Sequence, residues 1–311
     1  MKVRVIFMGT PVFATAVLKS LIEEKYDVVA VVTQPDKPIG REQKMLPTPI
    51  KTLTMSFDIP VLQPLKVKES VDEILAYQPD LIVTCAYGQM LPKRLLDTPR
   101  LGCINVHASL LPKYRGGAPI HKAVINGELK TGISLMRMAV KMDAGPVFAQ
   151  REVEIGLDDT TEIVHDRLMM CASLCIKEDL RLVIEDNAVF CEQDEAKVTF
   201  AYNITSEDEK IDFDKGGRMI YNQIRGLISW PVAHFIMDGK KCKVHQAKFA
   251  EGEHSYTVPT FTEYKDDAMV LAVNDGWLYI QQLQLEGKKK TQASDFYNGV
   301  GKTWIGKGVD V

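Results

Sequence analysis

The chain has 311 residues, 46% of them hydrophobic and 25% charged, with a formal net charge of −3 at pH 7. That length favours two domains, and that composition suits a globular protein whose core needs no disulfide or metal staple. The near-balance of charge excludes tight RNA binding through a global basic field, so any RNA contact must use local basic patches.

MKVRVIFMGT opens with a charged pair and a short apolar run. The run is too brief for a signal peptide and ends at a Gly-Thr-Pro turn with no small-residue cleavage site, so residues 3–9 read as a buried strand. No stretch approaches about 18 consecutive apolar residues, no membrane span is expected, and a cytoplasmic protein is. Helical spacing of Phe13, Val17, Leu18, Leu21 and Ile22 predicts a helix over 12–25. DVVAVVT (27–33) is a second buried strand, and a long polar loop (34–49) follows. Such loops are often functional, and Lys37, Arg41 and Lys44 in it, with Lys51 just beyond, suit phosphate contact. Residues 50–56 and 68–77 read as helices, and 61–64, 80–87 and 103–109 as strands. This βαβ rhythm predicts a doubly wound, mostly parallel α/β sheet. Residues 131–155 read as two strands around an Asp-Ala-Gly turn, and about 160–184 as a helix.

Beyond this the chain is polar and without period, as a linker would be. From about 211 short alternating runs separated by turns, with all three tryptophans among them, predict a small antiparallel β-barrel of the oligonucleotide-binding (OB) type, with a sandwich as the alternative. The division is a catalytic domain over 1–189, a linker over 190–208 and a β-domain over 209–311. Six cysteines are scattered with no CxxC pair. Cys171 and Cys175, one helical turn apart near His165, fall short of the four ligands of a structural metal site and read as core filler.

CINVHASLLPKYRGGAPIH (103–121) is the densest stretch. Asn105 and His107 share one face of a strand by its two-residue period, near its carboxyl end, where open α/β sheets bind ligands. An amide beside an imidazole can hold a developing oxyanion, or the pair can simply cap the strand. The apolar Leu110-Leu111-Pro112 wall and the Gly116-Gly117 pair after them suit a shaped pocket lip.

The run Asn105-Val106-His107-Ala108-Ser109-Leu110-Leu111-Pro112, with Tyr114-Arg115-Gly116 and Ala118-Pro119-Ile120, resembles the signature of formyltetrahydrofolate-dependent formyltransferases. Met142-Asp143-Ala144-Gly145-Pro146 matches the D-x-G-P-like loop of that family, and the likeness extends through Gly9-Thr10-Pro11, Gln34-Pro35-Asp36, Ala86-Tyr87-Gly88 and Lys210-Ile211-Asp212-Phe213. The resemblance implies a Rossmann-like catalytic domain with Asn105, His107 and Asp143 as catalytic residues. It implies Ser109, Leu110, Leu111, Pro112, Tyr87, Gly88 and Leu91 against folate, 10-formyltetrahydrofolate as the formyl donor, and no metal. The full-length layout and the 34–49 loop imply the α-amino group of initiator methionyl-tRNA as acceptor. Arg41, Lys37, Lys44 and Phe13 would then face tRNA and its methionine, with Lys240, Lys241, Lys243 and Lys288–Lys290 as further tRNA contacts, and the protein would act as a monomer. The competing readings are a formyltransferase for a sugar-nucleotide or purine-precursor amine, a formate-releasing hydrolase, and a non-catalytic RNA-binding protein. A dinucleotide dehydrogenase is disfavoured because GTPVFA lacks the glycines that let backbone approach a pyrophosphate.

Overall fold

The computed structural model describes residues 2–39 and 43–310. It divides into two compact units, the first made of 1–119, 130–154 and 165–202 and the second of 120–129, 155–164 and 203–311. Arg41, central to the basic-loop expectation, lies outside the described residues.

Unit 1 holds β1 (Arg4–Gly9), β2 (Asp27–Val32), β3 (Lys37–Ile39), β4 (Lys44–Leu46), β5 (Val61–Leu62), β6 (Leu81–Cys85), β7 (Cys103–His107), β8 (Lys130–Arg137) and β9 (Val147–Glu154). Seven of these form one sheet in the order β5-β2-β1-β6-β7-β8-β9. The first five run parallel, while β8 and β9 are antiparallel to their neighbours. β1 beyond Arg4 and all of β6 are buried, and apart from Thr84 their side chains are apolar, as both faces of a parallel sheet are covered, which is why these strands were legible as apolar runs. The expected mostly parallel α/β sheet is therefore present. The 34–49 stretch is not a plain loop: β3 and β4 pair as a short antiparallel hairpin, Lys37 opposite Leu46. The long helix ends early, at Glu178, and a separate turn of helix follows over Arg181–Ile184.

Residues 191–201, within the expected linker, are tied into unit 1. Cys191 and Val147 exchange backbone hydrogen bonds of 2.8 and 2.9 Å. The Arg115 N–H donates to the Thr199 carbonyl at 2.9 Å, and the Ala201 N–H to the Arg115 carbonyl at 2.7 Å.

Unit 2 is built on β10 (His234–Met237), β11 (Lys240–Glu251), β12 (Thr260–Lys265), β13 (Ala268–Val273), β14 (Gly276–Leu285) and β15 (Thr291–Gln292). These form an antiparallel sheet in the order β10-β11-β14-β13-β12, with β15 on β14. Among the described residues β10 and β12 do not pair, so the sheet path is open and the expected closed barrel is not found. The chain end instead reaches both edges: Asp310 bridges Ile236 and Gly308 bridges Thr260. A helix over Gly217–Gly226 precedes this sheet in a region read as β-structure. Its apolar side, Ile220, Tyr221 and Ile224, is buried, but so are Asn222, Gln223 and Arg225. Gln223 Nε2 donates to the Asp208 and Lys210 carbonyls, and one Arg225 nitrogen to the Asp159 carbonyl at 2.6 Å. Buried polar positions that satisfy backbone elsewhere blur the apolar stripe by which a helix is recognised. No helix among the described residues is long and apolar enough to cross a membrane.

Candidate active site

The site forms where β6 and β7 end side by side. Thr84 of β6 is paired with Asn105 of β7, and the two-residue period puts Asn105 and His107 on one face while Val106 turns into the core. Asp143 arrives from the loop between β8 and β9, some forty residues downstream. Its carboxylate lies 3.5 Å from Asn105 Nδ2 and 3.8 Å from His107 Nδ1. The three residues singled out in the sequence thus converge on one spot.

Their orientations follow from what each neighbour can do. A carboxylate only accepts, so the nitrogen of the Asn105 amide faces Asp143. Its oxygen takes the Thr84 hydroxyl at 2.8 Å. Likewise the Tyr114 carbonyl only accepts, so His107 Nε2, 3.0 Å away, carries a proton. That leaves Nδ1 as the ring nitrogen facing Asp143. In the neutral ring Nδ1 is a bare lone pair; once protonated it lies beside a carboxylate. The sequence-based expectation that His107 donates to an oxyanion therefore narrows to Nδ1 alone, and only in the charged ring.

Asp143 is held from three sides. Oδ2 accepts the Gly116 N–H at 2.9 Å. Its backbone is left-handed, φ 48°, a conformation that Asp adopts more readily than most residues. Gln193 Nε2 donates to the Asp143 carbonyl at 2.8 Å and the Gly145 carbonyl at 2.7 Å, pinning the loop that carries the carboxylate. Gln193 Oε1 in turn accepts from Arg115 Nε at 3.0 Å, and Arg115, 0% exposed, also donates to Glu195 at 2.9 Å. Lys141 pairs with the other Glu195 oxygen at 2.8 Å. These contacts hold the Glu195 carboxyl below its ordinary range, through Lys141 first and Arg115 next. Two glycines are obligatory here. A Cβ on Gly116 would lie 2.6 Å from the Ala201 carbonyl oxygen with φ at +126°, and one on Gly145 would lie 1.9 Å from that of Arg137.

Gln193, Glu195 and Thr84 were missed in the sequence. Gln193 and Glu195 stand in a stretch without periodicity, and no spacing ties them to Asp143. Thr84 sits in an apolar strand run, where one hydroxyl carries no signal.

The segment after His107 is braced by β8 and β9. Ser134 Oγ donates to the Ser109 carbonyl at 2.6 Å, and Gln150 Nε2 to the Leu111 carbonyl at 2.9 Å. The Ser109 side chain is fully buried and donates to the Lys113 carbonyl at 2.6 Å, so it shapes the turn. Leu111, Tyr87 and Leu91 are likewise buried, whereas Leu110 and Pro112 are half-buried and Gly88 is exposed. Burial pushes the Tyr87 hydroxyl up to about 12. Lys37 and Lys44 stand exposed on the β3–β4 hairpin. Phe13 is buried edge-on against His165, ring centroids 5.3 Å apart. Among the described residues no three His, Cys, Asp or Glu side chains converge as metal ligands.

A family model described as formyl transferase matches residues 1–177, and one described as formyl transferase, C-terminal domain, matches 203–301. The chain belongs to the formyl transferase family. It is 46% identical over 307 residues to a protein of Staphylococcus aureus strain MW2 named methionyl-tRNA formyltransferase, covering 98% of each chain. The sugar 3N-formyl transferase WlaRD, solved with dTDP and 5-N-formyl-THF, superposes with a TM-score of 0.68 at 20% identity, over 93% of this chain and 100% of that one. An N-formyltransferase from Helicobacter canadensis, solved with folinic acid and dTDP-3-aminofucose, gives 0.67 at 17% identity, over 94% and 100%. Formyl transfer is accordingly the chemistry of this family member, and the amide–imidazole–carboxylate group has what it needs: a hydrogen-bond donor for an oxyanion and a base for an amine proton.

Proposed function

We propose that the protein transfers the formyl group of 10-formyltetrahydrofolate to the α-amino group of initiator methionyl-tRNA, supporting translation initiation. The observation that carries the acceptor is the 46% identity spanning 98% of both chains to a relative named for that reaction. The two formyltransferases solved with sugar-nucleotide ligands or dTDP share the fold at 20% and 17% identity.

In this scheme Asn105, Asp143 and His107 divide the work. The amine nitrogen attacks the formyl carbon, and charge collects on the formyl oxygen. Asn105 Nδ2, turned outward by Thr84, donates to that oxygen, an interaction worth roughly 3 kcal/mol of barrier. His107 Nδ1 takes the proton that the attacking nitrogen sheds, because Nε2 is committed to Tyr114. Asp143 then stabilises the imidazolium. His107 returns the proton to N10 as the bond between N10 and the formyl carbon breaks, so tetrahydrofolate leaves as a neutral amine. The scheme uses no metal and no covalent enzyme intermediate.

In this reading the folate ring meets the more accessible Leu110, Pro112 and Gly88, and the buried Ser109, Leu111, Tyr87 and Leu91 complete the folate side. The exposed Lys37 and Lys44, with Arg41 between them, and Phe13 serve the acceptor side. In unit 2, pairing of β11 with β14 sets Lys243 opposite Gln284, and the Glu286 N–H donates to the Lys241 carbonyl at 2.8 Å. Lys240–Lys243 and Lys288–Lys290 therefore share one end of the sheet, a local basic patch of the kind tRNA phosphates require. The finer structural reading is a Rossmann-like catalytic domain over 1–189, a connector over 190–208 whose residues 191–201 run along unit 1, and an OB-like domain with an open sheet path over 209–311, acting as a cytoplasmic monomer. The test is to offer the purified protein 10-formyltetrahydrofolate with charged initiator tRNA, charged elongator tRNA and an amino-sugar nucleotide in parallel. Preferred formylation of the initiator supports the reading, and preference for the sugar amine overturns it.

A further inference from the structure

Phe200 and Tyr202 form a stacked aromatic pair on the surface of unit 1. Their rings are 3° from parallel with centroids 5.5 Å apart, and the residues are 48% and 64% exposed. The backbone explains the placement. This segment is extended and paired with the catalytic stretch, Phe200 bridging Arg115. Ala201 is buried, its carbonyl accepting the Ala118 N–H at 3.0 Å, and Thr199 Oγ1 accepts the Tyr114 N–H at 2.9 Å, so the segment is held against the catalytic stretch through residues 199 and 201. Residues 200 and 202 are thereby turned to solvent. Nothing in that pairing asks for aromatic side chains there, and exposing two large rings together loses the burial that normally stabilises them.

The pair lies next to the chemistry. Arg115 precedes Gly116, whose N–H holds the Asp143 carboxylate, and Gly116 packs directly on the Ala201 carbonyl. An acceptor amine that reaches Asp143 and His107 brings with it whatever carries that amine. If the acceptor is methionyl-tRNA, the carrier is a single-stranded 3′ end whose bases have free π-faces. Each ring of a stacked pair keeps one face uncovered by the other, and unpaired bases bind such faces without regard to sequence.

We propose that Phe200 and Tyr202 are a stacking platform for the unpaired nucleobases at the acceptor end of the aminoacyl-tRNA. The proposal rests on the tRNA reading above. The platform sets where the terminal nucleoside lies and so presents the α-amine to the site. It binds substrate and takes no part in proton transfer.

The experiment compares the wild-type enzyme with the double variant Phe200→Leu/Tyr202→Leu and the conservative pair Phe200→Tyr/Tyr202→Phe. Each is assayed for formylation of methionyl-tRNA, and for binding of the same tRNA carrying fluorescent 2-aminopurine at an unpaired acceptor-end position. Stacking on an aromatic side chain strengthens binding about tenfold or more per base. The double leucine variant should therefore raise KM for methionyl-tRNA at least about tenfold, leave KM for 10-formyltetrahydrofolate within a factor of about two, and lose the 2-aminopurine quenching seen with wild type. The conservative pair should restore both. Unchanged KM for tRNA and unchanged quenching, in a variant whose urea midpoint matches wild type, would overturn the platform. So would a rise in both KM values together, which marks a distorted site. If the wild-type protein formylates no methionyl-tRNA at all, the acceptor assignment falls and the platform with it. If it does and only the variants fail to differ, the platform alone falls.

Discussion

Gln193 carries the sharpest structural prediction. One side-chain amide bridges two carbonyls of the loop that presents Asp143, at 2.8 and 2.7 Å, and its oxygen accepts from the buried Arg115 at 3.0 Å. Gln193→Leu removes all three bonds with a side chain one heavy atom shorter. A neutral hydrogen bond contributes about 1 kcal/mol and one to a charged group about 2. Because Asp143 and Gln193 are only half-buried, water can replace part of the loss at the loop, so destabilisation of about 2–3 kcal/mol is expected in urea unfolding. The kinetic loss should be larger than stability suggests. With its carbonyls released, the left-handed Asp143 is free to relax, and a displacement near 1 Å at reacting groups costs on the order of a hundredfold in rate. Gln193→Glu separates the two effects. It keeps an acceptor for Arg115 but turns a carboxylate toward the loop carbonyls, so it should retain more stability than the leucine variant and lose as much kcat. The assay is formylation with saturating donor, read as kcat and KM separately, beside a urea midpoint. A Gln193→Glu enzyme with kcat within about twofold of wild type would refute the claim that this amide positions Asp143.

Asp143→Asn should lower turnover at least about a hundredfold while tetrahydrofolate binding, measured by calorimetry, changes little; near-full rate would remove the carboxylate from the mechanism. Thr84→Val deletes the hydroxyl that turns the Asn105 amide and should cost about tenfold in kcat without moving either KM, checked by steady-state kinetics. Gly145→Ala forces the loop off the Arg137 carbonyl and should lower kcat more than KM in the same assay, whereas a silent substitution would show that the loop tolerates displacement. Acid stability reports on a different carboxylate. Asp80 lies below its ordinary value of 3.8, held first by the Arg4 backbone N–H and then by Arg100. A depressed carboxylate stabilises the fold above its unfolded pKa and loses that contribution as pH falls toward the folded one. The stability lead of wild type over Asp80→Asn should thus stand at neutral pH and shrink as pH falls below the ordinary value of 3.8 toward the depressed folded one, and a urea-midpoint difference that stays constant on acidification would count against it.

Sequence alone determined what depends on local periodicity and residue chemistry. The apolar runs of β1, β2, β6 and β7 read as buried strands because a parallel sheet covers both of their faces, and the same two-residue period paired Asn105 with His107. Asp143 was legible only through resemblance, since an Asp-Ala-Gly turn by itself says nothing of what it faces. Tertiary structure decided the rest. The helix over Gly217–Gly226 hides in the sequence because its buried Gln and Arg serve distant backbone carbonyls while its Asn accepts from that Arg, and which edges β10 and β12 present follows from long-range register that no short window contains. Most of all, the supports of the site come from far along the chain: Thr84 reaches Asn105 across 21 residues, Gln193 reaches Asp143 across 50, and Glu195 reaches Arg115 across 80. Hydrogen bonds between such positions leave no spacing to read, because the chain between them is free to vary in length so long as its ends meet.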